Sequence, residues 1–470
     1  MGEVLRAGIA AGHPATAQAG LEILEDGGSA ADAAVAACLA SCVAETIMTG
    51  LLGGGHAIYL SAARGTVRNL DFFVAVPSGS GDELEELAVP FGEELVHYAI
   101  GAASAAVPGV PAGLDALWRA LGRLPWPRLC EPALALARDG VELTPAHASC
   151  LAMLAPVMTM REGARIYCRN GALLTAGERL EQPGLVPALE AISAEGADAV
   201  YRGSIGEALL TLTDERGGRL TRADLASYEA RWSEPVSVAY AGTTFLTRGG
   251  LSAVPLLLGR LPALRDLDEK ARVLALVEAL DVPAPDGHTT NLVVVDDDGD
   301  ACVLTTSLGL GSGDWLPGLD LHLNSMLGER DLVRGELVPG ERMESMMAPS
   351  LALDGDGLAL AIGAAGGTRL GTALVTVAAG ILDEGLDPQA AVERPRVHPA
   401  GASVNAEPGV DERALDELEA RGRLVRRWSA PHHYFGGVSA IGRAGAGADP
   451  RRSGAALTAP TRGRPAGATP

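Results

Sequence analysis

The stretch Asp286–Ser307, "DGHTTNLVVVDDDGDACVLTTS", constrains this chain more than any other. It reads as a strand, an acidic turn and a second strand. The pattern recurs. "SVAYAGTTFLTRGG" reads as a strand pair, and "SLALDGDGLALAIGAAGGTRLGTALVTVAAGILDEG" reads as strands leading into a helix. "TGLLGGGHAIYL" and "RGTVRNLDFFVAVPS" read as earlier strands. Helices are expected between them. Residues 13–45 read as two, the first ending at Gly27-Gly28 and the second, Ala-rich and buried, opened by Ser29 and Asp32. Residues 101–145 read as two helices punctuated by prolines, residues 185–228 as helical, and residues 251–281 as a Leu-rich helix. Antiparallel-looking strand pairs with long helices between them imply a layered α+β protein, sheet packed on sheet with helices outside. After a final strand near Gly437–Gly442, the Gly/Ala/Pro/Arg-rich end is expected to be a flexible tail from about residue 445.

A chain of 470 residues with 47% hydrophobic residues can bury a sizeable core. A net charge of −22 argues against nucleic acid or an anionic membrane as partner. The six cysteines, Cys38, Cys42, Cys130, Cys150, Cys168 and Cys302, form no C-x-x-C pair and no cluster with histidine. No metal site and no cofactor are therefore expected. Three consecutive glycines, Gly53–Gly55, lack the lysine and hydroxyl of a phosphate loop and read as close backbone packing. No basic segment followed by an apolar stretch opens the chain, and no apolar run approaches the ~18 residues of a membrane span. A cytoplasmic location is the expectation.

Two threonines, Thr289 and Thr290, stand at the start of the hairpin. A threonine opening a strand is ordinary. A threonine made N-terminal by cutting the chain is a catalyst, because its own α-amine, with a pKa of about 7.7–8, can take the hydroxyl proton at neutral pH.

The segments together resemble the γ-glutamyltranspeptidase family of N-terminal-nucleophile hydrolases. The resemblance is carried in order by "HPATAQAGLEILEDGGSAADAAVAA", "VPGVPAGLDAL", "EPALALARDGVEL", "VYRGSIGEALL", "GGRLTRADLASYEARWSEPVSVAY", "TTNLVVVDDDGDA", "SMMAPSL", "GAAGGTR" and "HPAGASVNAEPGV". It spans nearly the whole chain. It implies a four-layer αββα sandwich made as one globular unit from a large-subunit segment, residues 1–288, and a small-subunit segment, residues 289–470. The cut would fall between His288 and Thr289, leaving two assembled fragments as a heterodimer, with pairing of heterodimers a further expectation.

The resemblance also implies site residues. Thr289 is the nucleophile. Ser307, where the family has a second threonine, lies across from it and hydrogen-bonds its hydroxyl. Gly366 and Gly367 match the pair whose N–H groups form the oxyanion hole. Thr290 and Asn291 complete a T-T-N triplet where T-T-H is common. The donor pocket departs further. Phe73 stands where glutamyl-specific members have an arginine for the donor carboxylate, which suggests a less polar acyl group. Gly309 replaces an asparagine, Met326 replaces an amide or acid, and Glu329 retains one carboxylate. The paired serines of the family become Ser345 and Met346, or, with a one-residue shift, Glu344 and Ser345. The loop before residue 288 is short, so the pocket rim is remodelled.

These residues imply a self-processing amidase or acyl transferase that forms a threonine ester and passes the acyl group from a small-molecule amide to water or an amine. A specialised-metabolite substrate is expected. The alternatives are a cyclisation or rearrangement in the same pocket, or a non-catalytic binding protein.

Overall fold

Alternation along the hairpin decides the architecture. Leu292 and Val294 join a cluster of helix residues on one side, whereas Val293 and Val295 join Ile58, Val303, Leu351 and Ala361 on the other. A strand that is apolar on both faces needs a layer on each side. The computed structural model, which describes residues 6–91, 94–282, 289–367 and 369–460, supplies both.

We number the strands of the two large sheets in chain order. They are β1 (Gly8–Ala11), β2 (Gly54–Ser61), β3 (Thr66–Phe72), β4 (Arg231–Ser233), β5 (Val236–Tyr240), β6 (Thr243–Thr247), β7 (Thr290–Val295), β8 (Ala301–Ser307), β9 (Ser350–Asp354), β10 (Gly357–Ala365), β11 (Gly437–Gly442), β12 (Gly445–Ala448) and β13 (Ala455–Thr458). One sheet runs β4-β3-β2-β8-β7-β1-β13 and the other β5-β6-β9-β10-β11-β12. Neighbours in both are antiparallel. β7 and β8 face β10 and β11 across the sandwich. Helices α1 (Pro14–Glu25) and α2 (Ala30–Ala44) cover the first sheet, and the helix Arg369–Leu382 covers the second. The result is the αββα order expected from the sequence. Both sheets combine strands from before and after residue 288, and in the first sheet the two sets interleave.

α2 is buried along its whole length. Alanine lets it lie close to β7 and β8 on one side and to the helix Trp126–Asp139 on the other. Its start is fixed by a reciprocal cap between Ser29 and Asp32. The glycine run also behaves as expected. A Cβ built on Gly53 would lie 2.2 Å from the Ser307 carbonyl oxygen, so only glycine lets β2 begin so close to the end of β8.

Two expectations are corrected. Residues 251–281 are not one helix but a short Val254–Arg260 helix and a second one, Glu269–Leu280, which Asp268 caps. Pro262 sits in the break, where its ring and missing N–H stop the first helix. The end of the chain is not a flexible tail through residue 460. β12 closes the second sheet, and β13 pairs with β1 along the edge of the first. Between them Asp449 is buried against Arg396 at 2.6 Å and Arg451 at 3.2 Å. Residues 461–470 lie outside the described region.

Candidate active site

The pairing Thr290↔Thr306 ends the β7–β8 ladder. Continued by one residue, the register sets Thr289 opposite Ser307. Thr289 is buried and shares the side of β7 that carries Asn291, toward the second sheet. Asn291 Nδ2 donates to the Gly437 carbonyl at 3.1 Å, tying the start of β7 to β11. Thr289 lines a small polar cavity with Glu45, His147, Asn291, Ala365, Gly437 and Arg452. His288, the other half of the expected cleavage site, lies outside the described residues.

Gly366 and Gly367 follow directly on Ala365, with φ of 133° and 59°. Both values lie where side chains are strained, so the turn from β10 into the helix Arg369–Leu382 needs this pair. A Cβ on Gly366 would also meet the Gly436 Cα at 2.7 Å. Ala365, the residue before the turn, lines the cavity with Thr289.

On the other side of the nucleophile, the Ser307 hydroxyl accepts the Gly309 N–H at 2.9 Å. Gly309 has a φ of 68°, and a Cβ there would lie 2.4 Å from Glu329 Oε1 and 2.6 Å from Ser325 Oγ. Its missing side chain thus leaves room for the buried Glu329 carboxyl and the Ser325 hydroxyl.

The residues singled out for the donor pocket divide. Phe73, Met326 and Met346, from three distant segments, join one apolar cluster with Met343, Met347 and Leu332. Phe73 stacks on His56, whose burial pushes its pKa down to about 3. Met346 also lines a cleft with Leu251, Ala253, Leu257 and Gly367, so apolar side chains lead up to the glycine turn. Ser345 is buried, and its hydroxyl accepts the Met347 N–H at 3.2 Å. Glu344 is exposed, on the outer side near Arg248 and Gly250.

Thr290 faces away from Asn291, toward the helical layer, and there it meets a residue that the sequence reading missed. Its hydroxyl donates to Glu45, just beyond the end of α2. The other oxygen of Glu45 accepts from Thr16 at 2.7 Å. Burial pushes the Glu45 carboxyl up to about 6, against the two hydroxyl hydrogen bonds and the Arg452 charge, which favour ionisation. His147 Nε2 lies 3.9 Å away, held well below its ordinary pKa by burial. Four residues on, the Thr49 hydroxyl donates to that of Thr306 at 2.9 Å. The signal for Glu45 was present: a lone acid directly after an unbroken apolar helix, "AAVAACLASCVAE". Arg452 was passed over as part of the supposed tail.

The arrangement suits acyl transfer. A threonine hydroxyl stands at a strand end, a serine lies opposite it in register, and the strand residue Ala365, which lines the same cavity, leads into a glycine turn. Comparison with known proteins agrees. The family model for gamma-glutamyltranspeptidase matches residues 16–282 and 265–459. The chain is 28% identical to the acylase ACY 1 proenzyme of Pseudomonas sp. (strain SE83), over 92% of this chain and 89% of that one. It is 26% identical to the glutathione hydrolase proenzyme of Escherichia coli (strain K12), over 89% and 86%. Its fold matches the crystal structure of cephalosporin acylase from Bacillus halodurans with a TM-score of 0.84, at 24% identity and 97% coverage of both chains.

Proposed function

The chain belongs to the gamma-glutamyltranspeptidase family, and from that premise we propose that it is a self-processing amidase or acyl transferase with Thr289 as nucleophile. The observation that carries this reading is the register that sets Thr289 opposite Ser307, with Thr289 lining one cavity with Ala365, the residue before the Gly366-Gly367 turn. In self-processing, the Thr289 hydroxyl attacks the carbonyl carbon of residue 288. The peptide C–N bond breaks and the nitrogen takes the hydroxyl proton. Water then hydrolyses the ester, which leaves a carboxylate on residue 288 and restores the hydroxyl. The freed α-amine serves as base for substrate. Acyl transfer repeats the same chemistry, with the acyl group held on Thr289 Oγ1 and then passed to water or an amine.

The acyl group is apolar. Phe73, Met326 and Met346, positions at which the resemblance implies polar donor groups, form one apolar cluster, and apolar surroundings favour a chain or ring over an amino acid carboxylate. Of the relatives named acylase and glutathione hydrolase, the apolar cluster favours the acylase side, with a specialised metabolite as the amide.

Mass spectrometry of the purified protein under denaturing conditions tests the reading. The expected result is two polypeptides, the smaller beginning at Thr289, and a single inactive chain for Thr289→Ala. A wild-type protein that stays at full length overturns it.

A further inference from the structure

We propose that Glu45 is a positioning residue for the nucleophile: acting through Thr290, it fixes the start of β7 and hence the aim of the Thr289 hydroxyl. The inference rests on Thr289 being the nucleophile.

Three observations on the loop after α2 carry it. Glu45 takes the Thr290 hydroxyl, and Thr49 gives its own to Thr306, so one five-residue segment grips both members of the last β7–β8 pair. That segment is itself rigid. The Met48 and Thr49 N–H groups both donate to the Glu45 carbonyl, at 2.7 and 3.0 Å, and the Met48 carbonyl accepts Leu308 N–H at 3.3 Å. The space around the carboxyl is also reserved. A Cβ on Gly12 would lie 2.7 Å from Glu45 Oε2 and 2.9 Å from Thr290 Oγ1. A buried carboxylate with two hydroxyl donors is costly where an apolar residue would pack, which points to a task rather than to stability.

The groups facing Glu45 come from every surrounding element. α1 presents Thr16, β7 presents Thr290, and α2 itself presents Cys42. The helix Pro145–Met158 presents His147, with His13 edge-on to it at 5.3 Å. The turn Pro450–Arg452 presents Arg452, whose guanidinium reaches Met48 Sδ and the His433 carbonyl at 3.4 Å each. Burial holds both histidines neutral, His13 down to about 4, and holds the Cys42 thiol up through its contact with Cys38 and burial. Between pH 5 and 8 Glu45 is therefore the member of this cluster that changes charge. Its ionised form accepts both hydroxyls; its protonated form gives up one charge-assisted bond and loosens Thr290.

Self-cleavage is the readout that isolates this effect, because it precedes the free α-amine, whose own titration complicates turnover. Freshly synthesised full-length chain is followed by denaturing mass spectrometry from pH 5 to 8. The wild-type rate should fall with acid through about pH 6, as burial of Glu45 dictates. Glu45→Gln should lose that acid dependence and cleave about tenfold more slowly at pH 7.5. Thr290→Val should behave like Glu45→Gln, and Thr290→Ser should recover most of the rate. If Glu45→Gln does not fold, the two Thr290 variants decide. Profiles for Glu45→Gln or Thr290→Val that coincide with the wild type overturn the inference while leaving Thr289 as nucleophile. A wild-type chain that never cleaves overturns both.

Discussion

Phe73 and His56 stack with ring centroids 5.5 Å apart and planes 23° apart, and the family resemblance implies an arginine for a glutamyl donor's carboxylate at the position of Phe73. His56 stays neutral there, because burial and the nearby Arg248 outweigh the Asp71 carboxylate 3.6 Å away. The stack offers a donor carboxylate neither a charge nor a bidentate partner. Simple γ-glutamyl anilides should therefore be poor substrates. Losing one charge-assisted clamp removes about 1.5–3 kcal/mol. We expect kcat/KM for γ-glutamyl p-nitroanilide to lie at least tenfold below that for an anilide with an apolar acyl group. Equal values would mean that another residue binds the carboxylate.

Ser307 is expected to matter for chemistry more than for folding. Its hydroxyl accepts the Gly309 N–H and sits opposite Thr289 in register. Ser307→Ala should fold, with self-cleavage and turnover both slowed by about 10- to 100-fold, the scale of one lost hydrogen bond to a developing charge. Ser307→Thr should restore both. Rates for Ser307→Ala within twofold of the wild type would remove Ser307 from the site.

Glu344→Ser should leave the cleaved fraction unchanged, because Glu344 is exposed on the outer side and the scissile backbone belongs to the β7–β8 hairpin. The charge lies near the apolar cleft through Leu251 and Gly250, so its removal should lower KM modestly for carboxylate-bearing donors and raise it for the native substrate. The effect is expected to be a few-fold at most, since an exposed charge is screened. Identical kinetics on every substrate would make Glu344 an ordinary surface charge.

Glu45 gives a pH test of stability. Its pKa is raised from 4.5 to about 6 in the folded chain. The contribution of such a group is fully present below the unfolded value of 4.5 and is lost as pH rises through about 6. The loss is about 2 kcal/mol. Glutamine does not titrate. Measured by denaturant unfolding in the uncleaved Thr289→Ala background, the stability of Glu45→Gln relative to Glu45 should therefore rise by about 2 kcal/mol between pH 4 and pH 7.5. A constant difference would show that the carboxyl titrates near its ordinary value.

Asp449 holds the C-terminal segment. Its carboxylate accepts from Arg396 Nη2 at 2.6 Å, from Arg451 Nη1 at 3.2 Å and from the Val438 N–H at 3.1 Å, all buried. Asp449→Ala leaves a buried arginine without that partner, and should cost about 3–5 kcal/mol. A midpoint of thermal unfolding within a degree of the wild type would show that the network relaxes around the loss.

By itself the sequence settled the layers. Strand and helix periods, the Ser29 cap, the glycine run and the T-T pair are local signals, because side-chain alternation, capping and backbone freedom act over a few residues. The ordered family blocks pointed to Thr289 and to the Gly366-Gly367 turn. The break at Pro262 was legible and overlooked. Tertiary structure decided the rest. A low-complexity composition made "ADPRRSGAALT" look like a tail, yet β1 has an open edge that only β13 fills, and the buried Arg396 needs Asp449. Phe73, Met326 and Met346 are separate positions along the chain and become one apolar cluster only in space. Glu45 reads as an isolated acid until the loop after α2 folds back onto β7. Its pKa and its two hydroxyl partners, Thr16 and Thr290, are all products of burial and long-range contact, which no local pattern encodes.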